Sequence, residues 1–216
     1  VCNAASVASQ SFTSSLGSTT YAWTNNTTSI GLAASGTGSV PSFTAVNTAN
    51  SPITATVTVT PTTAGCAGTT ITYTITVNPT PTVNAVSNQT LCALATTNTV
   101  TLASTFNVSG TTYAWTNSNA NIGLATSGNG NIIAFTATNT TNANISGTIT
   151  VTPSANGCTG STQSFSITVN PIPNVVDPTN QQVCNGGTVA AVNFTGDVSG
   201  TVYNWTNNTT SIGLAA

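Results

Sequence analysis

The sequence predicts an all-β chain of tandem antiparallel sandwiches, and three observations predict it. Apolar residues alternate with Thr or Ser at period two over several segments. Helical periodicity is absent throughout, in a chain with 18 Gly and 9 Pro among 216 residues. The same motifs return about every ninety residues, a length suited to an independent sandwich of roughly 100 residues.

In chain order, the first strong strand signal is Val57 and Val59 set between Thr56, Thr58 and Thr60. Ile71, Tyr73, Ile75 and Val77 follow, with Thr at each position between them. The pattern recurs as Ile149 and Val151 among Thr148, Thr150 and Thr152, then as Phe165, Ile167 and Val169. One apolar and one hydroxyl-bearing face is the mark of an antiparallel sheet with one wet side. Gly128-Asn129-Gly130 and Asn156-Gly157 supply turn chemistry between such runs.

Three blocks define the repeat. YAWTNNTTSIGLAASGTG from Tyr21 returns as YAWTNSNANIGLATSGNG from Tyr113 and as YNWTNNTTSIGLAA from Tyr203. VTVTPTTAGCAG around Cys66 returns as ITVTPSANGCTG around Cys158, and ITVNPTP from Ile75 as ITVNPIP from Ile167. Proline fixes φ and biases its predecessor to extended geometry, so the VNPxP segments read as short, stiff connections. The expected units are 1–80, incomplete at its start, 81–172, complete, and 173–216, stopping in mid-domain. The chain is then expected to be a window on a longer protein.

Composition removes most chemistry. There is no Lys, Arg or His, and Asp177 and Asp197 are the sole acids. Phosphate neutralisation needs basic side chains, so nucleic acid is not an expected partner. General acid–base catalysis lacks most of its usual groups, and hard anionic ligands for calcium are missing from the first two repeats. No enzyme activity, cofactor or metal is expected. No apolar run approaches the ~18 residues needed to span a bilayer.

Five cysteines stand at 2, 66, 92, 158 and 184. Paired within repeats they give Cys2 with Cys66 and Cys92 with Cys158, one bridge per sandwich, with Cys184 left for a partner beyond residue 216. A loop of that size is worth about 4 kcal/mol in the chain-entropy model, and bridges imply an oxidising compartment. Buried free thiols are the alternative. Trp23, Trp115 and Trp205 lie 21 to 23 residues after the first Cys of their units. That Cys, Trp, Cys order resembles immunoglobulin-like sandwiches. With Tyr21, Tyr113 and Tyr203 two positions earlier, these rings are expected in the core, against a sugar-stacking alternative.

The combination YxWTNxxxxIGLxxSGxG, VTPxxxGCxG and ITVNPxP resembles the PKD-like repeats of very large surface proteins of Bacteroidota, across essentially the whole chain. The resemblance implies an immunoglobulin-like sandwich, type IX secretion and a place on the cell surface, in some members as gliding adhesins. It brings no catalytic or ligand residues.

Two roles follow. The repeats are expected to be spacers in the stalk of an extracellular adhesin, each intra-repeat bridge limiting extension under load. Alternatively, neutral Thr-covered sandwiches of identical chains pack into a filament; a carbohydrate-binding module is a weaker reading. Neighbouring repeats are the expected partners, with surface glycans possible. Thr rows such as Thr54–Thr60 suit ice binding poorly, because sandwich sheets twist. Sequons at Asn25, Asn26, Asn88, Asn107, Asn139, Asn144, Asn193, Asn204, Asn207 and Asn208 arise readily in so Asn- and Thr-rich a chain.

Overall fold

The computed structural model describes residues 1–214 and contains thirteen strands, joined by turns and single 3-10 turns. The first sandwich holds β1 (Ser6–Val7), β2 (Thr20–Asn25), β3 (Ser35–Thr37), β4 (Phe43–Thr44), β5 (Ile53–Thr63), β6 (Cys66–Ala67) and β7 (Ile71–Val77). The second holds β8 (Gln89–Cys92), β9 (Thr112–Asn117), β10 (Ser127–Asn129), β11 (Ile145–Ala155), β12 (Cys158–Thr159) and β13 (Gln163–Asn170). Each has one large sheet built on its longest strand. In the first, β5 pairs with β2 and β7, and β3 extends β2; in the second, β11 pairs with β9 and β13, and β10 extends β9.

A small ribbon closes the opposite layer. In the first sandwich β1 pairs with β4, continued by a bridge from Gln10 to Val40; in the second, bridges join Thr96 to Thr136 and Val100 to Ile132. The period-two pattern sets which face is inside. Ala55, Val57 and Val59 of β5 are fully buried, while Thr54, Thr56 and Thr58 stay at the surface or half-buried. Phe165, Ile167 and Val169 of β13 do the same in the second core. Each core also takes Ile and Leu of the IGL motif, Ile30 with Leu32 and Ile122 with Leu124.

The sheets are not antiparallel throughout. β8 runs parallel to β13, with Gln89 opposite Ile167 and Cys92 opposite Asn170. The first sandwich repeats this at Cys2, which bridges Asn78 in parallel. A parallel neighbour needs a long crossover, and here the opposite layer supplies it before the chain returns along the large sheet. Both first cysteines thus stand beside the end of the last strand, where the chain leaves the sandwich.

Among residues 173–214 there is no strand, and one 3-10 turn, Thr210–Ile212. The counterparts of the long central strands are not among these residues, so the segment has no sheet to lie on.

Candidate functional site

The residues that the two sandwiches bring together lie at their joint. β11 runs from Ile145, opposite Val169, to Ala155, opposite Cys158. Asn156 (φ 51°) and Gly157 (φ 77°) turn the chain back into β12. Two positive φ values are what the tight hairpin turn matching strand twist requires, and Asn-Gly supplies them at least cost. The hairpin tip reaches the exit end of the first sandwich. There Cys158 is disulfide-bonded to Cys2, with the Cα atoms 5.6 Å apart. The Asn78 side-chain amide donates to the Asn156 carbonyl at 2.8 Å.

This overturns the expected pairing of Cys2 with Cys66 and Cys92 with Cys158. The reason is the geometry of the long strand. Cys2 sits beside Asn78, at the Ile53 end of β5, whereas Cys66 follows the Thr63 end. Ten residues of strand separate these ends, ~33 Å at the usual rise. A disulfide needs Cα atoms roughly 4.4–6.8 Å apart. Cys92 and Cys158 are held apart in the same way along β11. Each sandwich therefore carries its two cysteines at opposite ends, and the bridge joins sandwiches instead of closing one. Cys66, Cys92 and Cys184 are exposed free thiols.

The joint is packed as well as bonded. Pro79 and Pro81 of the connection are buried. Gly160, just past β12, lies so close under the Pro81 carbonyl that a Cβ would stand 1.8 Å from its oxygen. Its counterpart Gly68 would meet nothing nearer than a Pro61 ring carbon at 3.1 Å. Pro173, the counterpart of Pro81, is exposed, as no hairpin lies against it among the described residues.

The aromatics fall into two groups. Trp23 and Trp115 are buried, and each faces a glycine across a strand pair, Gly36 and Gly128. A Cβ at either glycine would lie 2.3 Å or less from the indole ring. The rings fill the space over those glycines, not the face of a disulfide, and present no platform for a sugar. Tyr21 and Tyr113 are half-buried beside the cores; Tyr21 stacks at a tilt on Phe12, ring centres 5.6 Å apart. Burial raises the phenol pKa of Tyr113, as it does that of Tyr73. Tyr203 is half-buried against Phe194, but Trp205 is half exposed, which corrects its expected core placement. It lacks the facing strands.

The sequence reading missed the role of one asparagine per repeat. Asn117, buried at the end of β9, donates to the carbonyls of Asn119, Leu124 and Ala125 at 3.0, 3.0 and 3.3 Å and accepts from the Asn119 amide. Asn25 does the same for Thr27, Leu32 and Ala33. Asn207 still reaches the Leu214 carbonyl at 2.8 Å where there is no sheet. The available signal was the fixed offset of seven residues between this Asn and the Leu of IGL.

Among the described residues no group of three or more His, Cys, Asp or Glu could hold a metal, and no helix is long and apolar enough to cross a membrane. Comparison with curated proteins gave no match. Among solved structures, the surface layer protein SbsC, domains 1–6, is similar at 17% identity with a TM-score of 0.29, over 83% of this chain and 24% of that one. The Dpr2 Ig1-Ig2 complex with DIP-Theta Ig1-Ig3 gives 11% identity and 0.31, over 80% and 63%. The human desmocollin-1 ectodomain gives 12% and 0.26, over 68% and 32%. The chain thus spans about a quarter of the first. The profile of the PKD-like domain matches twice, over residues 1–81 and 89–173, each match holding one of the two sandwiches joined at Cys2 and Cys158, and on that ground the chain belongs to the PKD-like domain family.

Proposed function

We propose that the chain is a non-catalytic stalk region of a large extracellular surface adhesin, in which successive PKD-like sandwiches hold a binding part away from the cell. The observation that carries this reading is the joint. Two sandwiches connected by a buried Pro79–Pro81 segment and a Cys2–Cys158 bridge keep a defined mutual orientation, which a spacer needs and an isolated binding module does not. A structural disulfide also belongs in an oxidising, extracellular setting. The units are taken as 1–80, 81–172 and 173–216, and type IX export as in the Bacteroidota surface proteins whose repeats these resemble.

A surface almost free of charge suits such a position. Trypsin-like proteases find no Lys or Arg to cut after. Small-angle scattering and light scattering on the 216-residue chain across a wide concentration range test the proposal. A monomer with a fixed, elongated two-domain envelope supports the stalk. Concentration-dependent growth into ordered fibres would replace it with the filament reading.

A further inference from the structure

We propose that the Cys2–Cys158 bridge is one rung of a propagating ladder, in which the first cysteine of each repeat pairs with the hairpin cysteine of the next. Cys92 then takes the hairpin cysteine of a third complete repeat, Cys184 that of a fourth, and Cys66 is taken by the first cysteine of a repeat that precedes residue 1. The partner surface is in each case another copy of this repeat. The pairing rests on geometry and stands apart from the adhesin reading.

Every element of the observed joint has its counterpart at the two open ends. Cys92 sits beside Asn170 as Cys2 sits beside Asn78, in the same parallel pairing. The Asn78 amide is bonded to the docked hairpin; the Asn170 side chain makes no hydrogen bond among the described residues. Pro81 is covered by the hairpin base and Pro173 is bare. On the other side, Cys66 ends a hairpin with the same backbone as the docked one, Ala64 and Gly65 having φ of 50° and 80°. Gly68 leaves open the space that Gly160 yields to Pro81. Cys66 and Cys92 stand at the outer ends of the two sandwiches, each a long strand away from the Cys2–Cys158 joint, so they cannot pair with each other.

Each rung forms by thiol–disulfide exchange. Two cysteine thiols lose two protons and two electrons, and a disulfide oxidant such as oxidised glutathione is reduced to two thiols.

The ladder changes the covalent path of a load. From Cys2 to Cys184 the backbone runs 182 residues, through two full repeats. Across the bridge to Cys158, 26 residues remain to Cys184, and 26 likewise separate Cys66 from Cys92. Fully extended, 26 residues span ~90 Å. The Cys66–Cys92 segment contains β7, the proline connection and β8, and the Cys158–Cys184 segment contains β13 and the second proline connection. Consecutive segments overlap side by side, as β8 and β13 do. A laddered stalk therefore has far less hidden length to release than the 182-residue backbone path would give.

The test completes the third repeat by appending residues 35–81 after Ala216, with Ala67→Thr in the appended copy so that its cysteine peptide is distinguishable. The protein is refolded in glutathione buffer, alkylated, digested with pepsin and mapped by mass spectrometry. Beside it, the 216-residue chain is mapped alone. The ladder requires Cys2–Cys158 in both, and in the longer chain a bridge from Cys92 to the appended cysteine, with Cys66 and Cys184 alkylated. Bridges within repeats, any other pairing, or an alkylated Cys92 beside an intact Cys2–Cys158 bridge overturns it. Because mapping reads pairing and not assembly, a chain that forms fibres can still confirm the ladder, and a monomer can still refute it.

Discussion

Asn117 holds its loop with both ends of its amide, and a buried amide has no cheap substitute. Three carbonyls converge on its N–H groups, and the Asn119 amide donates to its oxygen. Unpaired buried polar groups cost about 1–3 kcal/mol each. Asn117→Ala should therefore destabilise the second sandwich by at least about 2 kcal/mol, read as a fall in its denaturant midpoint with the first sandwich unaffected. Asn117→Asp should be worse, since a carboxylate would face the same carbonyls with no hydrogen to donate. A loss below a few tenths of a kcal/mol in either variant would show that the loop is held by IGL packing alone. This residue was visible in the sequence as part of TNxxxxIGL, but its counterparts Asn25 and Asn207 stand in sequons, which pointed to the surface. Asn is common both on exposed loops and in buried loop closures, and composition does not separate the two. The tryptophans were more legible, because one large ring per repeat among alternating strands has few places to go other than the core. Trp205 shows the limit of that logic: a ring is buried only where the opposing strands exist.

Among the elements, strands declared themselves most clearly. The Thr alternation in β5 and β7 gives the face, the length and the antiparallel register together, because slipping by one residue would expose every valine. Hairpins are set by their turns, and the two equivalent turns differ. Asn156 sits comfortably at φ 51°, whereas Ala64 occupies φ 50° with a side chain that disfavours it. A left-handed conformation costs an ordinary residue roughly 1–2 kcal/mol, and Asn much less. Ala64→Asn should stabilise the first sandwich by about 1 kcal/mol, and Asn156→Ala should weaken the second by a similar amount; thermal melts of the two variants check both signs. The hairpin also carries the joint. Gly160→Ala puts a methyl group into the Pro81 carbonyl, so the connection must move and Cys158 lose its alignment with Cys2. The equilibrium for bridge formation in glutathione buffer should fall about tenfold or more, as the effective concentration of the two thiols drops. Gly68→Ala, facing only a proline ring, is the matched control and should leave bridging unchanged. Strand periodicity could not reveal the pairing itself. Phase within the repeat put Cys2 with Cys66, and what forbids that pair is the length of β5, a property of the folded sheet.

For the whole molecule, the scarcity of charge makes a specific pH profile. No Lys, Arg or His is present, and Asp177 and Asp197 both follow the second sandwich. Stability depends on pH where folded and unfolded chains bind different numbers of protons. Residues 3–170 contain no carboxylate or basic side chain to create such a difference at mild acidity. Tyrosine acts at the other end. Desolvation raises the pKa of Tyr73 and Tyr113 above the ordinary value near 10. Below that value both are neutral in either state and their contribution is fully present. As pH rises past it, the unfolded chain gives up these protons first, so it binds fewer than the folded chain and the slope of stability with pH turns negative. The loss continues until the raised, folded-state pKa is passed. The unfolding midpoint should thus stay level from about pH 4 to 9 and fall above about pH 10. It should also be indifferent to salt between about 0.05 and 1 M, apart from the slow rise that excluded salts give any buried surface. Tyr73→Phe combined with Tyr113→Phe should flatten the alkaline fall while leaving the plateau in place. A decline between pH 4 and 6 would contradict the account, since no group in the two sandwiches is available to cause it. So would an alkaline fall unchanged in the double variant, which would move its origin to the cysteine thiolates and the lability of the Cys2–Cys158 bridge.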